Sequence, residues 1–188
     1  MSIILNLLAF RIYNFSYLNG VKMSNDHFDK SKIIEGRAWI IRKDNIDINQ
    51  IYPERYLSIK DFNDIGQFTF QAFDDSEILL QQIMPGDILI TGKNFGCGAF
   101  YQQAINCFIS LGIQAIVAES FDEAYEYEAI KAGFPVLTYD KPESFILEHW
   151  DKIRVNYVKG TLVNLRNNRM ITIRPFSEKQ MKNYIGQD

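Results

Sequence analysis

Residues Asp87–Thr138 read DILITGKNFGCGAFYQQAINCFISLGIQAIVAESFDEAYEYEAIKAGFPVLT. Asp87–Thr91 (DILIT) is a short apolar run with the look of a buried strand. Gly92–Gly98 (GKNFGCG) is a glycine-rich loop, and after it Phe100, Ala104, Ile105, Phe108 and Leu111 recur on one helical face. Gly112 stops that helix, and Gln114–Ala118 (QAIVA) reads as the next strand. Ser120 is the expected cap of a second helix, with Glu123 as its capping-box partner. Gly133 ends that helix, and Phe134-Pro135-Val136-Leu137 opens a further strand. Strand, loop, helix, strand, helix, strand is the order of right-handed βαβ units on a parallel sheet.

Upstream, Ile33–Ile41 (IIEGRAWII) reads as a strand, followed by a polar loop around Lys43–Gln50 and a break at Tyr52-Pro53-Glu54. Ser76–Ile83 has helical spacing, and Met84–Asp87 reads as a turn. Downstream, a helix is expected around Glu143–Trp150. Arg154–Lys159, Thr161–Leu165 and Met170–Arg174 then read as hairpin strands, with Asn167-Asn168 as a turn. A helical tail covers Ser177–Ile185. The expected class is α/β: a single domain with a parallel βαβ core and an additional antiparallel part.

Residues 1–32 read as an N-terminal extension, either disordered or lying upstream of a true start at Met23. The apolar run Ile3–Phe10 is far shorter than the roughly 20 residues of a membrane span. Arg11 follows that run instead of preceding it, unlike a signal peptide. No membrane association is expected.

The chain has 188 residues, 47% hydrophobic and 23% charged, a composition that supports a packed core and excludes a disordered chain. Its net charge of −3 argues against nucleic-acid binding, which calls for a basic excess. Aromatic residues make up 14% of the chain and imply a core packed with rings. Cys97 and Cys107, with His27 and His149, provide neither a disulfide framework nor a zinc set. A reducing, cytoplasmic setting follows as the expectation.

A glycine-rich turn between strand and helix presents backbone N–H groups that favour an anion. A plainer reading makes it a structural turn. The spacing matches neither the dinucleotide fingerprint nor the P-loop. Cys97 is either a thiol beside a cleft or a small residue suited to a tight turn. Asp47 either orients a neighbouring group or caps the local backbone. Lys93 and Arg55 are candidate cations for the cleft or plain surface charges, and His149 beside Trp150 reads as structural.

Gly92–Gly98, continued by Ala99-Phe100-Tyr101-Gln102-Gln103-Ala104, resembles the G-x-N-F-G-C-G-S-S-R-E-x-A motif of 3-isopropylmalate dehydratase small subunits, the swivelling domain of aconitases. Gly36–Trp39, Asp44–Asp47, Gln50–Leu57, Gly86–Leu89, Leu111–Ile116, Ser120-Phe121, Ala129-Ile130 and Pro135–Leu137 agree in order and spacing. The resemblance is dense from Ile33 to Thr138 and topological beyond. It implies a swivelling β/β/α domain over residues 33–176 with residues 177–188 as its tail. It further implies one subunit of a carbon–oxygen lyase. The chain itself would bind no cofactor. A large subunit would carry a [4Fe–4S] cluster, over which this chain closes as a malate-type hydroxy acid is dehydrated and rehydrated.

The pattern changes where the chemistry of the family lies. Its two serines fall on Ala99 and Phe100, its arginine on Tyr101 and its acid on Gln102. Its D-T-D is Asp47-Ile48-Asn49, and Ser58 stands where an arginine is common. The arginines of its S-F-A-R-I-F-x-R-N-A segment are absent from Ser120–Ala129, where Glu123, Glu126 and Glu128 stand instead. The resemblance therefore implies Tyr101 as the candidate acid/base, with Gly96, Cys97, Gly98, Ala99, Asp47 and Ser58 as substrate-binding positions and no metal ligand. Two alternatives accompany this reading. One is a catalytically retired paralogue acting as scaffold or regulator, and the other a free-standing domain for a small uncharged or cationic ligand.

Overall fold

A computed structural model describes residues 32–74, 76–140 and 146–186, so the expectations for residues 1–31, including the start at Met23, fall outside it. Strand β1 (Ile33–Ile41) organises the rest. Its first half, Ile33–Arg37, pairs antiparallel with β5 (Lys152–Asn156), and its second half, Ala38–Ile41, pairs parallel with β2 (Ile88–Thr91). On the parallel side follow β3 (Ala115–Ala118) and β4 (Val136–Thr138). On the other side come β6 (Thr161–Asn164) and β7 (Arg169–Thr172), both antiparallel. The sheet order is β4-β3-β2-β1-β5-β6-β7. Mixed α/β architecture is thus observed, parallel and antiparallel parts sharing one strand.

The sheet curls until its two edges touch. The Arg174 N–H donates to the Thr138 carbonyl at 2.8 Å, and Tyr139 and Ile173 form an antiparallel bridge. Alternation along the strands then sorts side chains between an inner and an outer face. Ile34, Ala38, Ile40, Ile88, Ile90, Val117 and Val155 join one buried aliphatic cluster. Trp39, Leu89, Ile116 and Val136 join the other, which contains most of the rings. In that outer cluster Phe95 meets Tyr125 edge-on at 5.3 Å, and Phe108 stacks on Phe134.

The outer face is covered by α4 (Gln103–Ser110) and α5 (Glu123–Lys131), together with a run of short elements: α1 (Ile48–Ile51), a 3-10 turn at Glu54–Tyr56, α2 (Phe62–Ile65), a second 3-10 turn at Gly66–Phe68, and α3 (Ser76–Gln82). The expected polar loop around Lys43–Gln50 is therefore partly helical. Asp47 accepts from the Gln50 N–H, and Gln50 accepts from the Asp47 N–H, so a capping box starts α1. The final helix, α6 (Glu178–Ile185), is capped by Ser177 and packs on α5.

The helix expected around Glu143–Trp150 is corrected in the part that can be described. Residues 146–150 contain no helix, and residues 143–145 lie outside the described set. The physical reason is competition for backbone groups. The Trp150 N–H donates to the Ala38 carbonyl at 2.8 Å, and the Ala38 N–H donates back to Asp151 at 2.8 Å. This segment therefore runs beside β1. Asp151, buried, also accepts from the Glu148 N–H and the Asn164 amide and pairs with Arg166. His149 lies exposed there, its ring beside Trp150, with no helix end to serve.

One residue before Ala38 on β1, Arg37 grips the buried Asp87 with two hydrogen bonds of 2.8 Å and stacks over Trp150. A fork-on-carboxylate pair of this kind fixes the start of β2 against β1.

Candidate functional site

Three segments leave the carboxyl ends of the parallel strands and knit together: residues 44–48 after β1, the glycine loop after β2, and residues 119–122 after β3. The Lys93 N–H donates to Asp44 Oδ1 at 2.8 Å, and the Asn45 N–H returns a bond to the Lys93 carbonyl at 2.8 Å. The Gly96 N–H donates to Ile46, and the Ile48 N–H donates to Cys97. On the other flank the Asn94 N–H donates to Ser120 Oγ at 2.8 Å, and the Phe95 N–H to the Ser120 carbonyl at 3.1 Å.

Those bonds decide between the two readings of the loop. The amides of Lys93, Asn94, Phe95 and Gly96 are all spent within the protein, so this half of the loop is a structural turn and not an open anion cradle. They also correct the helix cap. Ser120 accepts from the loop, and Asp122 caps α5 by accepting from the Ala124 N–H at 2.9 Å. The cause is the bridge between Phe95 and Phe121, which keeps Ser120 and Phe121 extended and delays the helix.

Gly96 has φ +82, and a Cβ there would overlap the Tyr125 ring. Its close approach seats the loop on the outer aromatic cluster. Gly98, at φ +101, has open space beside it. Gly98 and Ala99 are exposed and Cys97 is half-buried, so these three residues form the rim, whereas Gly96 is buried beneath it. Burial, and next the Asp47 carboxylate, push the Cys97 thiol up, away from a reactive thiolate. Asp47 stands at the amino end of α1 in a bridge with Cys97. Ser58 is exposed on the turn that follows Glu54–Tyr56.

Tyr101 is half-buried at the root of the rim. Its hydroxyl donates to the Tyr52 carbonyl and lies 3.1 Å from Asn49 Oδ1. Burial, with Glu54 and Asp47 adding to it, pushes this phenol up to about 12. At neutral pH it is a fully protonated donor. Asn49, where the family pattern of D-T-D ends, is a contact that sequence reasoning did not single out. Its place three residues before Tyr52 on a capped turn was the available signal. The three acids of α5 are balanced or point outward: Glu128 pairs with Lys131 at 3.0 Å, Glu126 lies 4.0 Å from Arg174, and Glu123 is exposed. Arg55 stacks over Tyr56, away from the glycine loop.

Among the described residues no three His, Cys, Asp or Glu side chains gather to hold a metal ion. Cys107, fully buried under α4 and pushed up to about 12 by that burial, is not disposed to ligate. Among the described residues, then, no ligand set fits an iron–sulfur cluster. No helix among the described residues is long and apolar enough to cross a membrane.

Comparison with known proteins agrees with this geometry. Residues 25–142 match the aconitase C-terminal domain model. The 3-isopropylmalate dehydratase small subunit of Caldicellulosiruptor bescii is 32% identical over 135 residues, covering 72% of this chain and 80% of the relative. Small subunit 1 of the same enzyme from Methanopyrus kandleri is 29% identical over 150 residues, covering 80% of this chain and 86% of that one. The crystal structure of 3-isopropylmalate dehydratase from Methanocaldococcus jannaschii superposes with a TM-score of 0.70 at 25% identity, over 82% of this chain and 94% of the other. The chain belongs to the aconitase C-terminal domain family and resembles its 3-isopropylmalate dehydratase small subunits.

Proposed function

We propose that this chain is the small, swivelling subunit of a 3-isopropylmalate dehydratase-like hydro-lyase, acting in the cytoplasm on a malate-type hydroxy acid and serving leucine biosynthesis. Its swivel domain spans residues 33–176, with residues 177–188 as its tail. The observation that carries the reading is the glycine loop of the family, set between β2 and α4 and tied to both neighbouring loops, on the family fold.

The partner would be a larger subunit holding a [4Fe–4S] cluster, which would supply Lewis-acid chemistry toward the substrate hydroxyl and carboxylate. This chain supplies the wall that closes over the substrate and excludes water. Gly98, Ala99 and Cys97 form its rim. Gly96 and Asp47 hold the rim in shape, and Ser58, exposed on the turn after Glu54–Tyr56, is a further substrate-binding position. Tyr101 is the candidate acid/base, and the burial that keeps its proton on at neutral pH also makes it a weak acid.

A second reading, a catalytically retired paralogue, is favoured by one observation: the Tyr101 hydroxyl is committed to the end of α1. The test is to co-purify the chain with an iron–sulfur large subunit of the same genome and follow alkene formation anaerobically over a panel of hydroxy acids. Turnover lost in Tyr101→Phe supports the acid role. Turnover retained in that variant keeps the hydro-lyase and makes Tyr101 a structural residue. A stable complex without turnover means the retired paralogue, and no complex at all leaves the free-standing domain.

A further inference from the structure

We propose that Asn49 is a specificity-determining residue of the rim: together with Glu54 it selects a hydroxy acid whose far end is a carboxamide and not a second carboxylate. The proposal rests on the hydro-lyase reading above and narrows its substrate class. In malate-type acids the hydroxyl and the carboxylate beside it are common to the class. The far end is therefore the part that a specificity residue can read.

Asn49 is exposed on α1, two residues after Asp47, which bridges to Cys97 of the glycine loop. Its Oδ1 lies 3.1 Å from the Tyr101 hydroxyl and accepts from the Glu54 N–H at 3.2 Å. A backbone N–H can only donate, so the side-chain amide is held with its oxygen toward Glu54 and its NH2 group turned away from it. Among the described residues that NH2 group has no acceptor. Two uncharged N–H donors are thus offered beside Tyr101.

The charges around them are acidic. Glu54 is exposed and makes no ion pair among the described residues. Its carboxylate and that of Asp47 both act on the Tyr101 phenol, adding to burial in keeping its proton on. Arg55, next in sequence, is turned over the Tyr56 ring and toward the Gln71 carbonyl. A carboxylate brought to Asn49 would meet its N–H donors but be repelled by Glu54 and Asp47. A carboxamide escapes that repulsion. Its carbonyl accepts from Asn49, and its own N–H groups face the Glu54 carboxylate. Donor and acceptor stand on one short stretch of chain, tied by the bond from the Glu54 N–H to Asn49.

The test titrates the full chain, labelled with nitrogen-15, with malate and with its monoamide at the carboxyl remote from the hydroxyl. The Asn49 NH2 signals are identified by their loss in Asn49→Asp. Expected is a saturable shift of those signals by the monoamide, which binds at least about tenfold tighter than malate. Asn49→Asp weakens the monoamide by about tenfold with an unchanged melting temperature, because a carboxylate there still accepts from the Glu54 N–H. Glu54→Gln narrows the preference, tightening malate about threefold. Malate binding as tightly as the monoamide overturns the proposal. So does undiminished monoamide binding in Asn49→Asp, or the absence of any saturable shift. The readout is binding by this chain alone, so its failure leaves the dehydratase reading standing. Failure of that reading shows separately, as no complex or no turnover on co-purification.

Discussion

Along β1 and β2, Trp39 and Leu89 turn to the outer face while Ile40 and Ile90 turn inward, and the two sides differ in what they pack. The outer side is a close lattice of rings in which Phe95, Phe108, Phe121 and Tyr125 meet one another. It carries the glycine loop and holds it from three directions. The inner side is mostly aliphatic, its rings confined to Tyr157, Phe176, Tyr184 and Tyr139, and at one end of the sheet it opens into a cavity with charged side chains in its lining. The difference teaches where rigidity and where charge have been placed. On the ring side, the Tyr52 and Tyr125 hydroxyls and the loop amides are consumed by internal bonds, whereas the buried Trp39 indole N–H has no hydrogen-bond partner among the described residues. On the aliphatic side, charged side chains gather at the rim of the cavity.

The sharpest way to break this contrast is Gly96→Ala. The new Cβ would enter the Tyr125 ring from a left-handed backbone, and we expect a loss of about 3 kcal/mol or more by chemical denaturation. Gly98→Ala, with its open surroundings, should cost only about 1 kcal/mol. Equal costs would mean that the ring lattice does not set the loop.

The next effect is alkaline. The thiol of Cys107 is raised from 9.0 to about 12, Tyr101 from 10.0 to about 12, and Tyr125 well above 10.0, each chiefly by burial on the ring side. Tyr139 is the inner-side counterpart. The folded state holds these protons more tightly than the unfolded chain. Their contribution is therefore complete below about pH 9 and falls as pH rises toward 12. Melting temperatures measured from pH 8 to 12 should decline across that window. Cys107→Ala should flatten the early part, from pH 9 to 10, and an unchanged slope would refute the assignment.

Asp122→Ala should cost about 1 kcal/mol through loss of the α5 cap. Ser120→Ala should leave α5 formed, as read by amide exchange, and loosen the glycine loop at Asn94. The smallest effect belongs to the inner side. Lys93→Ala should change stability by less than about 0.5 kcal/mol, because that side chain is exposed.

The alternation of strands and helices from Asp87 to Thr138 was legible because a strand and an amphipathic helix each announce themselves over a few neighbouring residues. The hairpin of β6 and β7 and the helical tail from Ser177 were legible for the same reason, though the capping by Ser177 emerged only in the structure. The glycine motif identified the family, and Asp47 was legible as a local cap. The helix misread near Trp150 and the cap misread at Ser120 share a cause. In both places a hydrogen-bonding group was claimed by a partner remote in sequence, the Trp150 N–H by the Ala38 carbonyl and Ser120 Oγ by the Asn94 N–H.

Periodicity and motif, then, were enough for the sequence by itself to determine the α/β class, the parallel core and the family. Only the tertiary structure decided what the site residues do. It turned the Tyr101 hydroxyl onto Tyr52, spent the loop amides on neighbouring segments, and brought Arg42, Lys93, Glu119 and Tyr139 around one cavity. Those residues follow four different strands, and it is the register of the sheet, a non-local property, that lines them up.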